Sequence, residues 1–352
     1  MRILHVIQEL RTGGAERILV SLYRGAREAG HEVRVAAAPG ALAGELDSEL
    51  LPMLIVDRRV SRIPAAVRAA RRAVNEARPD VVHAHNPVMG LAAGLATYRG
   101  RRPPGLVSVH GVPESDWPPA ARLVRLSGLP AIACGPGVAE ALERHDVTPL
   151  ASIPNAVGPA PTPADRQALA REWSLAPKTR LVLAVGRLVE QKNHALAIRA
   201  LAEVPNATLV IAGDGPLRPE LERIAAEAGV ADRVVFAGLR PDARALMGAS
   251  DAIVLPSHWE GLPLVALEAL ASGTPLVATE VRGLRGLVTE GREALLVPAD
   301  DPQALAAAVR RVLDEPTLAA SLAERAREVD GAGSEAEMVD RFLSLYERLA
   351  AS

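Results

Sequence analysis

Short runs of apolar residues alternate with longer helical patterns from one end of the chain to the other. ILHVI at 3–7, HEVRVAAA at 31–38, DVVHAH at 80–85, GLVSVH at 105–110, AIACG at 131–135 and LASIP at 150–154 mark the first half. RLVLAVG at 180–186, ATLVIAG at 207–213, RVVFAG at 233–238, DAIVLP at 251–256 and TPLVAT at 274–279 mark the second. Their apolar residues run on without alternating, as in parallel strands buried on both faces. Between them the pattern predicts helices such as 15–29, 63–77, 193–203, 216–228 and 261–272, with a last amphipathic helix from Ser334 to Leu349. Strand–helix–strand repetition of this kind predicts α/β structure with doubly wound parallel sheets.

Eleven strands are many for one doubly wound sheet. The proline-rich stretch GPAPTPAD at 158–165 reads as a linker. It splits the chain into an N-terminal domain over 1–160 and a C-terminal domain over 161–333, both of Rossmann-like plan. A length of 352 residues suits two domains at roughly 100–200 residues each. The first 160 residues carry a net charge of +4 and the remainder −6.

Composition narrows the function classes. Forty basic against 42 acidic residues leave a net charge of −2, which argues against a nucleic-acid binder. Cys134 is the single cysteine, so internal disulfides and cysteine-rich metal sites are excluded. No apolar run reaches the roughly 18 residues of a transmembrane helix, and Ile3–Ile7 is too short for a secretory signal. The expectation is a cytoplasmic protein, at most peripheral at the inner face of the membrane. Arg58, Arg59, Arg62, Arg68, Arg71 and Arg72 cluster around one acid, Asp57. They read as a solvated helix face or as a contact with an anionic membrane surface.

Ligands of open α/β sheets bind beyond the carboxyl ends of the strands, and the informative residues follow strands here. Gly13 and Gly14 sit between the first strand and its helix, where backbone N–H groups and the helix N-terminus favour an anion; an ordinary tight turn is the alternative. GPGVAE at 135–140 and GDGPLR at 213–218 each lack the third glycine of a dinucleotide fingerprint, which argues against a simple NAD enzyme. Arg187 and Lys192 share one loop, GRLVEQKN, and can neutralise a diphosphate. Only Lys178 and Lys192 are lysines, so a lysine in that loop departs from the chain's default.

The helix over GLPLVALEAL reads as beginning near Gly261, with Glu260 just before it and Glu268 about two turns on, nearly on the same face. Glu268 lies in an apolar stretch where an unpaired carboxylate is costly. His83 and His85 point to one face of a strand, and with His110 they form either a zinc set or a packed group in which one histidine meets a ligand. The remaining histidines carry no spacing signal.

In this order the motifs resemble those of glycosyltransferase family 4, whose members have two facing Rossmann-like domains across a cleft, the GT-B fold. The resemblance covers essentially the whole chain and is strongest from Arg180 to Asp301, where Glu260 and Glu268 form the E-x(7)-E element. It implies a retaining, metal-independent hexosyltransferase using a nucleotide-diphosphate sugar, of UDP or GDP type, with no cofactor and a glycan, lipid or small-molecule acceptor. Gly14 and Gly213 would lie at the donor, and Arg187 and Lys192 would hold its diphosphate. Glu268 would hold the ribose. Glu260, with the backbone of Gly261, Leu262 and Leu264, would hold sugar hydroxyls. Phe236 to Leu239, including Gly238, would line the base pocket. His110 would approach the transferred sugar, with Glu16 and His85 on the acceptor side. The helix at about 334–352 would pack back on the N-terminal domain. Ala156 and Gly158 in IPNAVG, and Gly135 in ACGPGV, depart from the family pattern. A non-hydrolysing nucleotide-sugar epimerase of similar plan is the alternative.

Overall fold

The computed structural model describes residues 1–351 apart from 57–59, 98–102, 177, 330 and 332–333. The chain divides into two compact units, Met1–Asn155 with Glu335–Ser352, and Ala156–Ser334. The first unit holds β1 (Arg2–Glu9), β2 (Glu32–Ala38), β3 (Leu51–Pro52), β4 (Val81–Ala84), β5 (Gly105–Val109), β6 (Ala131–Ala133) and β7 (Ala151–Ser152). They form one sheet in the order β3-β2-β1-β4-β5-β6-β7. The second holds β8 (Arg180–Val185), β9 (Ala207–Ala212), β10 (Val234–Gly238), β11 (Ala252–Leu255), β12 (Leu276–Thr279) and β13 (Leu295–Val297), in the order β10-β9-β8-β11-β12-β13. Every pairing is parallel.

The eleven predicted strands are all present, and β3 and β13 add to them. Those two are only two and three residues long, too short to stand out as apolar runs. The stretch 158–165 carries no helix or strand and is tied to the second unit, since Arg244 donates to the carbonyls of Gly158 and Pro159.

In each sheet the chain walks outward from its first strand and then restarts on that strand's other side. The reversals fall between β1 and β4 and between β8 and β11, where ligands of such sheets bind. The continuous apolar runs have a simple cause. Val182 and Ala184 pack into one core of the second unit, while Leu181 and Leu183 pack into another. Both faces of β8 are therefore covered.

One predicted boundary is corrected. The helix after β11 spans Leu264–Ser272 rather than starting near Gly261, with Pro263 as its N-cap. A proline there disfavours helical backbone at Leu262, so residues 257–262 form a loop. Glu260 therefore lies off the helix, and the same-face relation with Glu268 does not hold.

The last helix, Glu335–Ala350, belongs to the first unit. It packs on the helix Gly14–Glu28, where Ser21 hydrogen-bonds Glu335, and on β4. Among the described residues no helix is long and apolar enough to cross a membrane.

Candidate active site

Three loops meet at the switch point of the second sheet. The loop after β8 runs through Gly186 and Arg187 into a short turn, Glu190–Lys192, ahead of the helix His194–Leu201. Lys192 Nζ lies 2.6 Å from Glu260 Oε1. Both side chains are largely buried, 14% and 6% exposed. Ser257 Oγ donates to the same Oε1 at 2.6 Å, and Gln191 Nε2 donates to Oε2 at 3.3 Å. Gln191 also donates to the Trp259 carbonyl, while its own carbonyl accepts from the His258 N–H at 2.9 Å. The loops after β8 and β11 are thus sewn together across the gap between their strands. The Arg187 side chain is exposed and makes no ion pair among the described residues.

The loop after β9 closes the third side. A Cβ on Gly213 would fall 1.9 Å from the Gly186 carbonyl oxygen, so only glycine lets these backbones meet. That packing role accounts for Gly213 without a ligand.

Glu268, one turn into its helix and 19% exposed, has Arg244 Nε at 3.8 Å. The apolar stretch around it therefore conceals a basic partner from another helix. Leu262 and Leu264 are buried, and Gly261 is half-buried. At the end of β10, Phe236 is half-buried with the Arg218 guanidinium 5.4 Å from its ring centroid. Gly238 takes φ +67°, and Leu239 next to it is 58% exposed.

The first unit holds the other predicted residues. Gly14 opens the helix Gly14–Glu28, and Glu16 lies in its first turn. Gly13 is the N-cap and supplies no side-chain acceptor to the N–H groups of that turn. At the opposite side of the switch, His83 and His85 stack with centroids 4.0 Å apart, and His85 and His110 stack at 5.9 Å with 8° between planes. The sequence placed His83 and His85 on one face and grouped His110 with them. It missed His5, which bonds His85 Nε2 through Nδ1 at 2.9 Å. Burial pushes His5 down to about 3 and His110 to about 4. Burial, reinforced by neighbouring histidines, holds His83 and His85 well below the usual range. All four rings are neutral at neutral pH. Neither ring nitrogen of His110 has a hydrogen-bond partner among the described residues.

Gln191, Ser257 and Arg244 also escaped the sequence reading. Gln191 adjoins Lys192 and Ser257 lies three residues before Glu260, so proximity to a candidate was their only signal. Nothing local marks Arg244.

A family model described as Glycosyltransferase Family 4 matches residues 12–185, and one described as Glycosyl transferases group 1 matches residues 165–329. The chain is 31% identical, over 360 residues, to the lipopolysaccharide core biosynthesis glycosyltransferase LpsD of Rhizobium meliloti, covering 99% of this chain and 98% of that protein. The chain belongs to glycosyltransferase family 4. Another relative, 2-deoxystreptamine glucosyltransferase of Streptomyces kanamyceticus, is 37% identical over 178 residues, covering 49% of this chain and 46% of that protein. Among solved structures, Anabaena HepE in complex with UDP and glucose superposes with a TM-score of 0.85 at 24% identity, covering 98% of this chain and 99% of HepE. WaaG, a glycosyltransferase involved in lipopolysaccharide biosynthesis, gives 0.78 at 19% identity, covering 98% of this chain and 99% of WaaG. This family 4 member has the GT-B fold and is a glycosyltransferase; the epimerase alternative gains no support.

Proposed function

We propose that this glycosyltransferase moves a sugar from a nucleotide-diphosphate donor, of UDP or GDP type, to a hydroxyl of a glycan acceptor with retention at the anomeric carbon. The observation that carries this reading is the Lys192–Glu260 pair in one loop system with Arg187, which makes no ion pair among the described residues, at the carboxyl edge of the second sheet's switch point. The likeness to LpsD supports a lipopolysaccharide-type acceptor, and HepE with its bound UDP supports the donor class. Lipid carriers and small metabolites are the other acceptors that this reading admits.

In the reaction the bond from the anomeric carbon to the diphosphate oxygen breaks, and the acceptor oxygen bonds that carbon on the same face. The acceptor proton passes to the departing phosphate. Arg187 and Lys192 stabilise the charge that develops there, in place of a metal. Glu260 fixes the Lys192 ammonium and offers Oε2 to a sugar hydroxyl. Backbone from Gly261 to Leu264 adds donors to the sugar. Glu268 takes the ribose, with Arg244 compensating its charge. The base lies along Phe236 to Leu239. Gly14 offers its N–H to the diphosphate, His110 meets the sugar, and Glu16 and His85 serve the acceptor side. The enzyme acts in the cytoplasm without a cofactor. Arg62, Arg68, Arg71 and Arg72 are exposed along one helix and its approach, a surface suited to anionic lipid; Arg58 and Arg59 lie outside the described residues.

A melting-temperature screen of nucleotide sugars tests the reading, because selective binding raises stability by mass action. One base and one sugar should stand out. A screen in which no nucleotide diphosphate shifts melting would overturn the proposal.

A further inference from the structure

The C-terminal helix lies directly on the histidine face of the first sheet. His5 on β1 is in register with His83 on β4. Ser108 and His110, two residues apart at the end of β5, share a face with them. Phe342 stacks on the His83 ring at 5.2 Å, and Tyr346 Oη lies 2.6 Å from His83 Nδ1. Ser108 Oγ lies 2.7 Å from His83 Nε2. Both nitrogens of His83 are thereby engaged, and its ring has one orientation.

From that ring the stack runs outward, His83 to His85 and His85 to His110. The ligand atoms of His5, His83 and His85 fall within 4.8 Å of one another, as in a metal cluster. Yet His83 engages both nitrogens with Tyr346 and Ser108, and His5 Nδ1 and His85 Nε2 bond each other, so the three rings do not offer one ion a joint set of free lone pairs. What stacked, close-packed rings transmit is orientation.

We propose that Tyr346 is a positioning residue for His110, acting through His83 and His85, so that the last helix of the chain sets the angle of the imidazole that meets the sugar. This rests on the reading of His110 given above. Tyr346 is fully buried, and burial holds its phenol well above the usual range, so the hydroxyl stays protonated.

Long-range proton–nitrogen NMR of the full chain labelled with 15N-histidine reads each imidazole without any ligand. Tyr346→Phe keeps the packed ring and removes only the hydroxyl. The His83, His85 and His110 signals should all move, while the parental fold persists by circular dichroism. Tyr23→Phe is the control, since it removes another tyrosine hydroxyl, bonded to Asp47, and should leave the three signals in place. His85 and His110 signals that coincide with the parent's in Tyr346→Phe overturn the proposal. If that variant does not fold, Ser108→Ala releases the other nitrogen of His83 and is judged by the same signals.

With the donor that the melting screen selects, Tyr346→Phe should lower kcat about ten-fold and leave KM within about two-fold, as misorientation does. A raised KM at parental kcat overturns the proposal. If the signals move but His110→Ala keeps parental turnover, the link from Tyr346 to His110 stands and the reading of His110 as substrate-facing falls.

Discussion

Lys192 and Glu260 form an ion pair at 2.6 Å, joining the loops that follow β8 and β11. One charge proposed for the diphosphate is therefore already compensated, and Arg187 carries the uncompensated one. Breaking a buried pair from one side leaves a stranded charge, at a cost of roughly 3–5 kcal/mol. Ser257 and Gln191 still bond Glu260, so Lys192→Ala belongs at the lower end. Its turnover should fall ~10²–10³-fold. The double variant Lys192→Met with Glu260→Leu removes both charges and should recover most of the lost stability in urea unfolding, with turnover still depressed. Parental turnover in the double variant would show that the pair is purely structural.

If Arg187 and Lys192 stand in for a metal, as proposed, chelation is harmless. Turnover in excess EDTA should match turnover without it, and added magnesium or manganese should change the rate less than about two-fold. Complete loss in EDTA, restored by a divalent ion, would refute the charge assignment. The assay is release of nucleotide diphosphate.

Acid should unfold this protein through its histidines. His5 titrates near about 3, and His110 and His194 near about 4, all depressed by burial. The unfolded chain takes up those protons near pH 6.5. Below that pH the unfolded state binds more protons, so stability falls as pH drops from about 6.5 toward the folded values. Each histidine contributes a slope of up to about 1.4 kcal/mol per pH unit. Melting should be nearly flat in pH above 7 and fall steeply toward pH 5. His194→Gln should reduce that slope by one proton's worth. A melting temperature independent of pH from 5 to 7 would contradict the burial of the cluster.

Close backbone contact makes Gly213 intolerant of a side chain. Gly213→Ala would push a methyl against the Gly186 carbonyl, at 1.9 Å. Backbone on both sides leaves little room to yield. The β8 and β9 loops should separate, with loss of donor binding and a lower melting temperature. Gly44→Ala meets nothing within 4 Å and should leave both unchanged. Equal melting of the two variants would show that the loops tolerate separation.

Much of this was legible in the chain because burial on both sheet faces leaves apolar runs that no loop needs. Residues such as Leu181 to Ala184 announce their strand in this way. The site was legible only where chemistry clashes with its surroundings, as with Lys192 in an arginine-rich chain or Glu268 among leucines and alanines. What escaped depends on tertiary approach. Arg244 reaches Glu268 from another helix, and Tyr346 reaches His83 across 263 positions. His5 had no local pattern because its partners are on a neighbouring strand. The helix begins at Leu264 and not near Gly261 because Pro263 holds the residue before it out of the helical region.

The order of synthesis gives the C-terminal helix a further role. The sheet of the first unit leaves the ribosome before the second unit, yet Phe342 and Tyr346, which cover its histidine face, are made only after the second unit. The second unit can fold while that face is still open to water. A product cut short before Glu335 would have an intact second unit and an unsealed first one, with its imidazoles free to take up protons. Synthesis of the helix Glu335–Ala350 is thus built into the conditions for a finished first unit.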